Sequence, residues 1–157
     1  MVNLKELRTE KKLTQQEVAD LVGISLRSYK SYENDEEKRD TIKYNYIVEQ
    51  LSKVNYVDEE TGILEIEDIK KKCSKVFEKY EVNFCYLFGS YAKGKATPTS
   101  DVDLLISTSI TGIMFFALIE EIREALHKKV DVLDINQLKN NIELTGEILK
   151  DGIKIYG

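Results

Sequence analysis

Apolar residues recur at helical spacing through the first third of the chain, at Leu4, Leu7, Leu13, Val18, Ala19, Val22 and Ile24. That period predicts short helices, with breaks at Lys11-Lys12 and at Gly23. Thr14 followed three residues later by Glu17 is a capping-box pattern and heads the second helix. Ser25 is placed to cap a third helix over Leu26–Glu33. A charged link, residues 34–40, then leads to a fourth helix from Thr41 to about Val54, with Ile42, Tyr46, Ile47 and Leu51 as its apolar positions.

The pattern changes after residues 55–61, a polar and acidic stretch that ends at Gly62. A helix is predicted over Ile66–Tyr80, its inner face carrying Ile69, Cys73, Val76, Phe77 and Tyr80. Strands follow at Val82–Phe88 and Asp101–Ser107. Gly112 then opens a helix to about Lys128, with Phe115, Leu118, Ile119, Ile122 and Leu126 inward. A third strand, Val130–Ile135, a last helix over about Gln137–Lys150, and a short terminal run, Ile153–Tyr156, complete the reading. The expected class is α+β: an all-α bundle in residues 1–57, a linker at 58–65, and at 66–157 a small domain with a mixed sheet flanked by helices.

Composition narrows the function classes. The chain has 157 residues, 42% of them hydrophobic, which suits one ordinary domain or two small ones. The net charge is -5, and because basic and acidic side chains balance in residues 1–57, all the excess acid lies beyond them. Neither part carries a strongly basic footprint. Cys73 and Cys85 lack the spacing of a zinc site or a disulfide framework, which points to a reducing, cytoplasmic setting. The N-terminus has no apolar signal core, and the longest apolar run, Ile113–Ile119, is too short to span a bilayer, so no membrane role is expected.

The candidate chemistry lies in residues 89–131. Gly89-Ser90 interrupts the strand, ten residues intervene, and Asp101-x-Asp103 opens the next strand. Period-2 alternation points both aspartates to one side. Asp131, on the third strand, can face them if that strand lies alongside. Three converging carboxylates raise one another's pKa unless a cation neutralises them. Mg²⁺ is the expected ion, since it takes oxygen ligands from one or two carboxylates plus substrate phosphates. Lys93 and Lys95 lie between the two halves of the motif and are candidates for phosphate contact, while His127 is expected as a partly exposed helix cap.

Two resemblances follow from these residues. Leu13-Thr14-Gln15-Gln16-Glu17-Val18-Ala19, Gly23-Ile24-Ser25 and Tyr32-Glu33-Asn34 resemble the Xre/Cro-type helix-turn-helix family, with Asp35 where members usually have Gly. In that geometry the helix after the turn lies in the major groove, and Gln15, Gln16, Ser25, Arg27, Ser28 and Lys30 are the candidate contacts to operator DNA. The alternative is that they form the polar face of a small helical bundle. Residues 66–157 resemble the minimal nucleotidyltransferase (MNT) group of the DNA-polymerase-β-like superfamily through Gly89-Ser90, Asp101-x-Asp103, Asp131 and the ending Ile148–Tyr156. Lys93 stands where many members have Arg.

The second resemblance implies roles. Gly89, Ser90 and Lys93 would bind the nucleotide, Asp101 and Asp103 would hold Mg²⁺, and Asp131 would hold a second ion or act as base. It also implies an antitoxin that transfers AMP from ATP to a tyrosine of a HEPN-type ribonuclease toxin, while the helix-turn-helix represses the operon, for which a homodimer would match a palindromic site. Two other functions share the motif: a repressor or stoichiometric antitoxin with an inactive transferase scaffold, and a small-molecule nucleotidyltransferase of the aminoglycoside-modifying type.

Overall fold

The computed structural model describes residues 2–157. It divides into two compact units between Tyr56 and Val57. The first contains α1 (Leu4–Glu10), α2 (Gln15–Val22), α3 (Leu26–Asn34) and α4 (Ile42–Lys53). Each begins at a side-chain cap: Asn3, Thr14, Ser25 and Thr41 accept hydrogen bonds from first-turn amides. Gly23, at φ +72°, ends α2 in the left-handed conformation that glycine adopts without a steric penalty. Leu4, Val18, Ala19, Tyr29, Tyr44, Ile47 and Leu51 form the core.

The inward phase of α4 differs from the sequence expectation. Ile42 is 90% exposed and Tyr46 about half exposed, whereas Tyr44 is buried. Tyr44, Ile47 and Leu51 share one helical face. The Tyr44 hydroxyl donates to the Val2 carbonyl at 2.9 Å and accepts from the Leu4 amide, so a polar tip is satisfied inside an apolar core. Asp35 has an ordinary negative φ and accepts from the Glu37 amide, capping a short 3₁₀ turn, Glu36–Lys38. The position therefore needs no glycine here.

The second unit is built on a four-stranded sheet, β1 (Val82–Phe88), β2 (Val102–Thr108), β3 (Val130–Asp134) and β4 (Ile153–Tyr156), in the order β3-β2-β1-β4. β1 is antiparallel to β2 and β4, and β2 is parallel to β3, so the sheet is mixed. One face packs on α5 (Ile66–Phe77) and α7 (Ile113–Leu126), burying Ile69, Cys73, Phe77, Leu87, Leu104, Ile106, Leu118 and Ile122. Each fully buried large apolar side chain contributes about 1.5–3 kcal/mol. Burial pushes the Cys73 thiol up to about 12 and Cys85 well above its ordinary value, which fits two inert core residues.

The opposite face carries a smaller cluster, Phe88, Leu105 and Ile148, under α8 (Ile142–Asp151). The predicted last helix is broken. Ile135–Leu138 forms a 3₁₀ turn capped by Asp134, Asn140 takes φ +66°, and Asn141 caps α8 through the Leu144 amide. Asparagine tolerates the left-handed region and competes for nearby amides, so it interrupts a helix that apolar spacing alone would continue. Smaller shifts occur where α5 stops at Phe77 and β2 starts at Val102 instead of Asp101. Gly89–Ala92 forms a single helical turn, α6, instead of an open loop.

Candidate active site

β1 ends at Phe88, whose cross-strand partner is Asp103. The next residue, Gly89, has φ +72°, and a Cβ built on it would overlap Oδ2 of Asp103 and lie 3.0 Å from its Cγ. Glycine is required twice over, by conformation and by the carboxylate that occupies the side-chain space. Ser90 follows on α6, and its carbonyl accepts from the Lys95 amide at 2.9 Å, which ties the turn to the loop beyond.

Asp103 is paired in register with Asp131 across the parallel β2/β3 ladder. In-register residues on parallel strands project to the same face, on backbones about 4.8 Å apart across the ladder. Tyr86, Phe88, Leu105 and Leu133 share that face with α8. Asp101 lies just before β2, two residues from Asp103, and is exposed. The acids therefore gather on the α8 face, at the end where β1 stops. α8 adds a fourth, Glu147, which the sequence reading did not single out.

The electrostatics record this convergence. The Asp103 carboxyl is pushed up to about 6, first by burial and then by the negative charges of Asp131, Asp101 and Glu147. Glu147 also accepts from Lys93 Nζ at 2.7 Å, and this hydrogen bond raises the lysine above its ordinary value. Among the described residues, no three His, Cys, Asp or Glu side chains stand close enough to hold an ion by themselves. The donor set nevertheless fits Mg²⁺: it is all oxygen, it is short of positive charge at Asp103, and Mg²⁺ takes only one or two carboxylates when phosphates complete its shell. Asp101 and Asp103 are the pair that would hold it, with Asp131 alongside.

A second residue that the sequence does not single out is basic. Lys128 is wholly buried, and its ammonium donates to the carbonyls of Gly62 at 2.7 Å, Pro98 at 2.5 Å and Thr61 at 3.3 Å. Its neighbour His127 is exposed and ends α7 at φ +53°.

In the helical unit the candidate DNA contacts separate into two groups. Gln16, Arg27, Ser28 and Lys30 are exposed, with Gln16 bonded to Asp20 at 2.9 Å. Ser25 is exposed too, but its hydroxyl oxygen caps α3 through the Ser28 amide at 3.1 Å. Gln15 turns inward and donates to Glu33 at 3.1 Å. The Glu33 carboxylate is nearly inaccessible and takes a two-pronged pair from Arg8, at 2.8 and 3.0 Å. Burial pushes the Glu33 carboxyl up, but hydrogen bonds from Arg8 and Gln15 and the Arg8 charge outweigh it and hold the group below its ordinary value.

The family model described as polymerase beta, nucleotidyltransferase matches residues 71–157, and a helix-turn-helix model matches residues 4–40. Three proteins of Methanocaldococcus jannaschii, each assigned as a protein adenylyltransferase, are similar to the C-terminal part. One is 38% identical over half of this chain and 83% of its own length; the others are 35% and 37% identical over 48% of this chain and 81% of theirs. A crystallised toxin–antitoxin with AMP-PNP matches at TM-score 0.49 and 24% identity over 56% of this chain and 73% of that one. The match to an MNT antitoxin bound to a tri-AMPylated HEPN toxin of Shewanella oneidensis has TM-score 0.45 and 21% identity, over 58% and 71%. These two structural likenesses are too slight to argue from. The family model, spanning more than half of the sequence, places the chain in the polymerase β nucleotidyltransferase family, with a helix-turn-helix ahead of the catalytic part.

Proposed function

We propose that this chain is the antitoxin of a toxin–antitoxin pair, transferring AMP from ATP to a tyrosine of a HEPN-type ribonuclease and repressing its own operon through the helix-turn-helix. The observation that carries the catalytic part is Asp103, seated against the Gly89 turn, its carboxyl pushed up to about 6 by burial and by three neighbouring acids. Similarity to proteins assigned as protein adenylyltransferases supports a protein acceptor. The division of labour is the helical unit for operator DNA and the sheet unit, Val57–Gly157, for transfer. The setting is the cytoplasm, where ATP is plentiful and thiols stay reduced.

In this reading Gly89 lets the backbone approach the triphosphate, and Ser90 donates its hydroxyl and amide to phosphate oxygen. Lys93 exchanges Glu147 for a phosphate. Asp101 and Asp103 would hold Mg²⁺, which would supply positive charge to the triphosphate and to the departing pyrophosphate. The tyrosine oxygen forms a bond to the α-phosphorus as the bond from that phosphorus to the α–β bridging oxygen breaks. Asp131, exposed beside Asp103, takes the phenolic proton or ligates a second ion. At the operator, Gln16, Arg27, Ser28 and Lys30 face the DNA, with Ser25 fixing the start of α3 and Gln15 fixing its base. A homodimer would match a palindromic site.

The test is to incubate the purified chain with Mg²⁺, labelled ATP and a HEPN-type ribonuclease from the same organism. AMP is expected on a toxin tyrosine, with loss of ribonuclease activity. An Asp101→Ala/Asp103→Ala variant that still neutralises the toxin without labelling it would make the chain a stoichiometric binder instead.

A further inference from the structure

Residues 58–65 read in the sequence as a linker, yet residues 57–64 belong to the second unit and are held to it at several points. Val57 and Leu64 pack into the main core. Asp58 accepts from the Glu60 and Thr61 amides at 2.9 and 2.7 Å, forming a compact turn. Arg123 pairs with Glu59 at 2.9 Å on the surface. The Leu64 amide donates to the Tyr91 hydroxyl at 3.4 Å, and Tyr91 belongs to the helical turn that starts at Gly89.

The strongest tie is Lys128. An ammonium has three donors, and here three backbone carbonyls receive them, two from this strap and one from Pro98. Taking an ammonium out of water costs several kcal/mol unless it is fully partnered, so the position is demanding. Pro98 sits in a turn closed by the Thr97 carbonyl and the Ser100 amide at 3.0 Å, immediately before Asp101. The adjacent Lys129 carbonyl accepts from the Val102 amide at 2.9 Å, immediately after it. The segment that carries Asp101 is thus fixed on both sides by Lys128-Lys129.

We propose that Lys128 is a positioning residue: its buried ammonium locks the strap at Thr61-Gly62 to the loop at Pro98, and this lock sets Asp101 for Mg²⁺–ATP, making residues 57–64 a working part of the transferase. The inference rests on the nucleotidyl-transfer reading for its consequence in catalysis, but not for the lock itself. Lys128 touches no reacting group, and its effect passes through the backbone.

The experiment uses the full chain carrying Lys128→Met, Lys128→Arg or Tyr91→Phe. Hydrogen exchange of the wild type should show slow amides in residues 61–64 and 97–102. In Lys128→Met both segments should exchange at least roughly tenfold faster while the rest of the sheet stays protected. A misplaced ligand typically lowers turnover by about 10–100-fold. The AMP-transfer kcat should fall by that factor in the folded fraction, with the Mg²⁺ needed for half-maximal ATP binding rising and KM for the acceptor unchanged. Lys128→Arg, which keeps charge and donors, should recover part of the loss. Tyr91→Phe should loosen residue 64 with an ATP-affinity loss of about threefold, and it decides the strap's role if Lys128→Met does not fold. The proposal is overturned if faster exchange is confined to one segment, if both loosen with Mg²⁺–ATP binding unchanged, or if activity merely tracks the folded fraction without rescue by Arg. If the wild type binds no Mg²⁺–ATP, the transfer reading fails and the exchange data alone decide the lock.

Discussion

Each unit of this protein removes carboxylate from water, and the two do it in opposite ways. In the helical unit, Glu33 is enclosed by Arg8 and Gln15, and its carboxyl is held below the ordinary value of 4.5. In the sheet unit, Asp103 is half-buried near Asp131, Asp101 and Glu147, and burial together with their charges pushes its carboxyl up to about 6. A carboxylate answered by the protein's own cations stabilises a structure. One left among like charges is unfavourable until something positive arrives, and that deficit marks a binding site. The same contrast holds among the lysines, since buried Lys128 is saturated by carbonyls whereas Lys93 is exposed and pairs with Glu147.

The largest expected effect breaks the acid cluster. Asp103→Asn removes a ligand and a charge together, and AMP transfer should fall by roughly 100-fold or more in a steady-state assay with Mg²⁺. Next is the opposite carboxylate. Glu33→Ala leaves Arg8 partly buried without its partner, and should lower stability by about 3 kcal/mol in urea denaturation. Because folding lowers the Glu33 pKa, the stability it supplies is complete above the ordinary value and is lost as pH falls through the folded value. The gap between wild type and variant should therefore close in acid.

Asp103→Asn should have the reverse sign in stability. Folding raises this carboxyl from 3.8 to about 6, so the wild type carries no penalty below 3.8 and the full penalty above about 6. With chelator present at pH 8, the variant should be more stable than wild type by about 1 kcal/mol, after allowance for solvent screening, and the difference should vanish near pH 3.5. The smallest effect concerns Glu147. Glu147→Gln frees Lys93 and removes one negative neighbour of Asp103, so ATP should bind about two- to threefold more tightly in calorimetry.

What could be read in the sequence depended on how local the signal was. Gly89-Ser90, Asp101-x-Asp103 and the strand period are short-range, and alternation alone places Asp103 and Asp131 on a common face once β2 and β3 are neighbours. Glu147 belongs to no motif; it joins the cluster only because α8 packs on that face. Lys128 sits in the run His127-Lys128-Lys129, which looks like solvated charge, and only the fold of the strap and the Pro98 turn reveals its burial. Gln15 looked like a groove contact because polarity does not distinguish a DNA-facing amide from one bonded to a buried carboxylate. Ile42 and Tyr44 exchanged roles because apolar content alone does not fix the phase of a helix at its first turn. The break before α8 was legible in principle, since Asn140-Asn141 offers both a left-handed stop and an N-cap.

The central claim is that the acid cluster is a cation deficit awaiting Mg²⁺ and nucleotide. It is tested most directly by calorimetric titration of Mg²⁺–ATP into the full chain near pH 6, in buffers of different ionisation enthalpy. The account predicts Mg²⁺-dependent binding with net proton release that is lost in Asp103→Asn. Binding that ignores Mg²⁺, or that releases no proton from the wild type, would contradict it.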